Sequence, residues 1–148
     1  MINSIIKNSI RFVILVLLQV LIVQNIRLGS YMILFPYVLF ILLLPFETPK
    51  LVVLFLSFLL GLTIDMFYDT AGMHAAVCTL IGFLRYYILK ILSPREGYEP
   101  GLIPNVDSMG PVWFITYSAI IIFIHHLFFF YLEIFRFNEF MIIFHTVI

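Results

Sequence analysis

A chain of 148 residues that is 64% hydrophobic and only 11% charged lies far from soluble domains, in which about half the residues are apolar and about a quarter charged. It reads as a membrane protein. Its formal net charge of zero offers no basic surface and sets nucleic acid aside as a partner, and its one cysteine, Cys78, can close no internal disulfide.

Cutting at charges and at Pro/Gly punctuation gives apolar stretches at 9–26, 31–46, 51–68, 73–92 and 112–135, each about long enough to cross a ~30 Å hydrocarbon core as a helix. The first follows Lys7 and Arg11 in the manner of a signal peptide. No small-residue cleavage site follows it; Gln24, Asn25 and Arg27 come instead, then more apolar chain, so a retained first helix is expected. The second, "YMILFPYVLFILLLPF", carries Pro36 inside and Pro45 at its end, which predicts a kink and a stop. Between the fourth and fifth stretches, the loop 93–111 has four prolines and three glycines, too many for a continuous helix. A last stretch from Glu139, "EFMIIFHTVI", covers about 15 Å as a helix and reads as the start of a sixth. The expected fold is an all-α integral membrane protein: one domain of five transmembrane helices and part of a sixth.

Lys and Arg counts orient the bundle. With the N-terminus inside, Lys7, Arg11, Lys50, Arg85, Lys90 and Arg95 lie at cytoplasmic ends and only Arg27 and Arg136 outside, which favours a cytoplasmic N-terminus and a cytoplasmic loop 93–111. Trp113, Tyr86 and Tyr87 then fall near the inner boundary, and Tyr68 and Tyr131 near the outer one, as interface anchors. In this frame Asp65 stands about 22 Å up the third helix and His125 and His126 about 20 Å up the fifth, while Arg85 is about 20 Å down the fourth.

A charged side chain in the core costs at least a few kcal/mol and normally finds a partner within the bundle. The matching depths predict a polar cluster of Asp65 with His125 or His126, joined by Asp69, His74, Arg27 or Arg136. Arg85 is expected to snorkel toward lipid phosphates or backbone carbonyls, and Asp69, beside a turn, to cap the helix that starts near Gly72. Ser57, Gly61 and Asp65 recur every four residues, as do His74, Cys78 and Gly82; such stripes let helices approach closely in lipid. Packing within the chain is the first expected use of these faces, a groove for a partner's membrane helix the second, and ligand binding the last.

Catalysis finds little support. His74 and Cys78 at i, i+4 make only half of a zinc site. The sequence has no HExxH, no G-x-S-x-G and no glycine-rich phosphate loop. The Asp65/Asp69 pair could share a proton, but the cap is the simpler use of Asp69. No nucleophile, cofactor site or metal site is expected, and the chain reads as a non-enzyme.

The stretch "LLGLTIDMFYDTAGMHAAVCTLIGFLRYYI" resembles the third-to-fourth helix segment of the rod shape-determining MreD family, with Gly61, Asp65, Gly72, His74, Ala75 and Gly82 filling its pattern. "LPFETP" at 44–49, "RYYILKILSPREGYEP" at 85–100 and "HHLFFFYLEIF" at 125–135 are similar to the Bacteroidetes branch of that family, so the similarity runs over nearly the whole chain. The departure is at the C-terminus, where the family's sixth helix is only begun. The resemblance implies a non-enzymatic subunit of the bacterial cell-elongation complex, in the cytoplasmic (inner) membrane. There it would support side-wall peptidoglycan synthesis and cell shape by binding an MreC-like scaffold. Through that scaffold it would reach a RodA-type glycosyltransferase with its transpeptidase partner, and an MreB-like cytoskeleton. It also implies a likeness to the six-helix substrate-binding subunits of energy-coupling-factor transporters, hence the alternative of a small-molecule-binding transporter subunit.

Overall fold

The computed structural model describes residues 2–22, 34–70 and 72–134, with side chains from residue 5 onward. Arg27, Arg136 and the stretch from Glu139 lie outside the described residues. Among the described residues the protein is all-helical: α1 (Ile2–Leu17) running into a π-helical turn (Leu18–Ile22), then α2 (Val38–Leu42), α3 (Lys50–Tyr68), α4 (Met73–Ile91), α5 (Val106–Met109) and α6 (Pro111–Ile134). Four helical stretches are long and apolar enough to cross a membrane: Ile5–Ile22, Lys50–Tyr68, Met73–Ile91 and Pro111–Ile134. Their outer faces are apolar, with Ile5, Ile10 and Ile14 on α1, Phe55 and Met66 on α3, and Phe123 and Leu127 on α6 all exposed. Such surface suits lipid rather than water.

The second apolar stretch differs from the expected span. Of its described part, 34–46, only the five residues of α2 form a helix, about 7.5 Å long. Pro36 forces the chain to enter that helix through tight turns, Val38 N–H to Phe35 O at 3.1 Å and Leu39 N–H to Pro36 O at 3.0 Å, and Pro45 prevents its continuation. This piece is the core of the molecule: Phe35, Tyr37, Val38, Phe40, Ile41, Leu42 and Leu44 are all buried, and α2 packs against α1, α3, α4 and α6. Broken helix is tolerated at membrane depth only where protein covers it and supplies the missing hydrogen bonds. Here side chains do so: Leu42 O accepts from the Tyr117 hydroxyl at 3.2 Å, Leu43 O from Arg11 at 2.9 Å, and Leu44 O from Arg85. Two cations thus meet the negative end of the short helix.

α3 and α4 form the most extensive pair. Ser57, Gly61 and Asp65 of α3 face Ala75, Cys78 and Gly82 of α4, and all six are buried. A Cβ on Gly61 would lie 2.5 Å from Ala75 Cα and 2.6 Å from Ala75 N, and one on Gly82 would lie 2.8 Å from Ser57 Cβ. The missing side chains therefore set the helix separation, which is the packing attraction available where lipid is as apolar as leucine.

Loop 93–111 is docked beneath the helices. The Tyr98 hydroxyl donates to Leu89 O at 2.7 Å, its ring stacks on Phe46 at 4.0 Å, and Trp113 Nε1–H donates to Leu92 O at 3.0 Å. Within the loop, Asn105 Oδ1 caps the one-turn α5 by accepting from Ser108 N–H at 2.8 Å.

Candidate functional site

α3 ends and α4 begins around a single side chain. The Asp65 carbonyl accepts from Asp69 N–H and from Thr70 N–H at 3.2 Å, closing α3. Asp69 (φ 51°) and Gly72 (φ 82°) turn the chain through left-handed backbone, glycine doing so without strain. The Asp65 carboxylate then accepts from His74 N–H at 3.0 Å, Ala75 N–H at 2.8 Å and the Thr70 hydroxyl at 2.5 Å. These backbone groups belong to the second and third positions of α4, the pair that an N-cap side chain ordinarily takes. A carboxylate, 5% exposed, is thus stabilised by charge-assisted hydrogen bonds and by the positive end of α4.

Two expectations are corrected here. The partner of Asp65 is the amide backbone of α4, not the imidazole of His125 or His126. The cap of α4 is Asp65, not Asp69, which is exposed and serves as the left-handed C-cap of α3. Depth matching placed the right elements at one level; it could not see that unpaired N–H groups at a helix start compete for a carboxylate as strongly as a histidine does.

The histidines meet instead at Tyr37. Its hydroxyl lies 2.8 Å from His74 Nδ1 and 2.9 Å from His125 Nε2. Tyr37, His74, Cys78 and His125 are all buried. One hydroxyl has one proton, so it donates to one imidazole and accepts from the other. His125 Nδ1 is buried without a partner, and a buried donor without an acceptor is rarer than the reverse. The consistent arrangement has His125 Nε2–H donating to Tyr37, and Tyr37 O–H donating to His74 Nδ1. Phe35 covers the cluster, its ring 5.8 Å from His74 and 5.1 Å from His125.

His126 stands apart from this hub. It is half-buried, with Nδ1 2.9 Å from Ile122 O of its own helix and its ring 5.2 Å from Phe35. Arg85 does reach a backbone carbonyl, Leu44 O, but it is 3% exposed and gives a second bond to the Tyr117 hydroxyl at 3.0 Å. It is built into the core and does not snorkel. Tyr68, expected as an interface anchor, accepts from Gln19 Nε2 at 2.8 Å and donates to Gln19 O at 3.3 Å. That bond ties α3 to the π-turn after α1.

Sequence reasoning missed Tyr37, Tyr117 and Gln19. The available signal was that a tyrosine within an apolar run must find a partner for its hydroxyl once buried. The stripe of Ser57 and Gly61, considered for a partner's helix, is covered by α4 and offers no open face. No group of three or more His, Cys, Asp or Glu side chains is placed to hold a metal among the described residues. Apart from His125 Nδ1, the ring nitrogens, hydroxyl and carboxylate oxygens named above for Tyr37, His74, His125 and Asp65 bond to one another and to the start of α4. Comparison with family models, curated proteins and solved structures returned no match.

Proposed function

We propose that this chain is a non-enzymatic, multi-pass subunit of the bacterial cell-elongation complex, an MreD-like protein of the cytoplasmic membrane that binds an MreC-like scaffold. The observation that carries the reading is what its motif does. Gly61, Asp65, Gly72, His74, Ala75 and Gly82, the residues of the resemblance, are the parts of one α3–α4 lock. Glycines permit the contact, Asp65 caps the second helix, and His74 ties the pair to Tyr37. A motif consumed in architecture fits a subunit that acts by presenting surface to partners. The scaffold must then contact a face other than the Ser57–Gly61 stripe. The transporter alternative needs a pocket with converging polar groups, and the Tyr37 hub is filled by its own side chains. The test is purification of the intact chain in mild detergent with identification of what accompanies it. A cell-wall synthesis scaffold is the expected companion; an ATPase-coupled transport module in its place would replace this reading by the alternative.

A further inference from the structure

Beside the N-terminus of α3 lies a notch of about 30 Å³ with Thr48, Lys50, Arg85 and Tyr86 in its lining. Three features of it point the same way. α3 starts at Lys50 with no side-chain cap and no acidic residue in its first turn. Its first helical bond is that of Val53 N–H to Pro49 O at 3.0 Å, so the amides ahead of it are orphan donors at the positive end of an apolar helix. Arg85 is the second feature. Its hydrogen-bond partners, Tyr117 Oη and Leu44 O, are neutral, and its Nη1 has no acceptor among the described residues. Arg85 forms no ion pair among those residues, although a buried cation is costly without an anion. Lys50 is the third: exposed, with Nζ 3.3 Å over the Tyr86 ring, it lies within a side-chain rotation of the same space. The notch lining contains no carboxylate.

The notch does not stand alone. Thr48 also lines a groove of about 650 Å³ between α1 and α3, walled by Phe12, Val13, Phe40, Val52, Leu56 and Leu59. Glu47 is the one carboxylate along that groove, and it is exposed. A notch that admits an oxygen or two, lined by cationic groups and sharing Thr48 with the wall of an apolar trough, matches an amphiphile rather than a free ion.

We infer that this surface binds an anionic phospholipid, its phosphate oxygens at Arg85, Lys50 and the α3 N-terminus and an acyl chain in the α1–α3 groove. The inference rests on the membrane-spanning helices and not on the elongation role, so either can fail without the other.

The test uses the full chain in mild detergent with three probes: phosphatidylglycerol, the diacylglycerol of the same chains, and inorganic phosphate. Binding is read by native mass spectrometry and by the shift in melting temperature. Phosphatidylglycerol is expected to bind about tenfold tighter than diacylglycerol, as one or two charge-assisted bonds provide, and inorganic phosphate alone to give no shift. Lys50→Gln and Arg85→Lys, both retaining polar contact, should each remove most of that preference. Should Arg85→Lys fail to fold, Lys50→Gln decides. Equal binding of diacylglycerol, an equal shift from inorganic phosphate, or an unchanged preference in folded Lys50→Gln would each overturn the assignment.

Discussion

Asp65 closes one helix with its backbone and opens the next with its side chain, its Oδ2 accepting the Ala75 N–H at 2.8 Å. Truncating it to alanine leaves the His74 and Ala75 amides and the Thr70 hydroxyl without their acceptor in a buried turn. Unmade bonds of this kind cost about 1–3 kcal/mol. Asp65→Ala should therefore melt well below the wild type in detergent. Asp65→Asn, which keeps one acceptor oxygen but loses the charge facing the helix end, should fall between the two. Equal melting of all three would show that the carboxylate is not the cap.

Tyr37→Phe removes one oxygen and leaves His74 Nδ1 and His125 Nε2, 2.8 and 2.9 Å from it, buried without a partner. A loss of about 2 kcal/mol is expected from such orphaned groups. The informative comparison is a cycle with His125→Phe. If the hydroxyl bridges the two rings, the double variant should lose less than the two single losses added together. Additive losses would separate Tyr37 from His125.

How much of this was open to sequence reasoning depends on the range of the interaction. α3, α4 and α6 run within a residue of the expected 51–68, 73–92 and 112–135, because the apolar runs and their Pro, Gly and charged borders are local signals. The close approach of α3 and α4 was legible for the same reason, since small residues every four positions declare a face. Tyr37 was not, as its partners are 37 and 88 residues away and nothing near it names them. The role of Asp65 was hidden differently: a sequence displays side chains that might pair, whereas the amides it caps are identical at every residue. The second stretch misled because hydropathy reports burial from water, and α2 is buried in protein instead of lipid.

Gly61→Ala places a methyl 2.5 Å from Ala75 Cα, against backbone that cannot swing aside. Overpacking should cost about 1–3 kcal/mol in melting experiments. Gly82→Ala meets the Ser57 side chain, which can be shortened, so Ser57→Gly should recover much of the Gly82→Ala loss and none of the Gly61→Ala loss. Recovery of both would mean that the helices slide apart freely.

Orientation is accessible to labelling. In a Cys78→Ala background, Asp107→Cys places a thiol at an exposed position of α5, in the loop proposed to be cytoplasmic. A membrane-impermeant maleimide should label it only after the cells are opened. Labelling of intact spheroplasts would invert the topology and, with it, the proposed inner-face position of the Lys50 end of α3.

Tyr98 supplies a pH dependence outside the spanning helices. Burial pushes its hydroxyl up from 10.0 to about 12, with the nearby Tyr117 adding to the rise and the Arg85 cation opposing it. The neutral phenol is the form that donates to Leu89 O at 2.7 Å, so the folded protein holds this proton after the unfolded chain has released it. Because the folded value is the raised one, the stability it contributes is fully present below pH 10, declines as pH rises from 10, and is gone above about 12. Subtracting the phenolate absorbance titration of Tyr98→Phe from that of the wild type should isolate one group ionising near 12. The variant should also lose less stability than the wild type across that alkaline window. A difference curve centred at 10 would mean that the loop is undocked, and the Leu89, Phe46 and Trp113 contacts holding it against the helix ends would fall together.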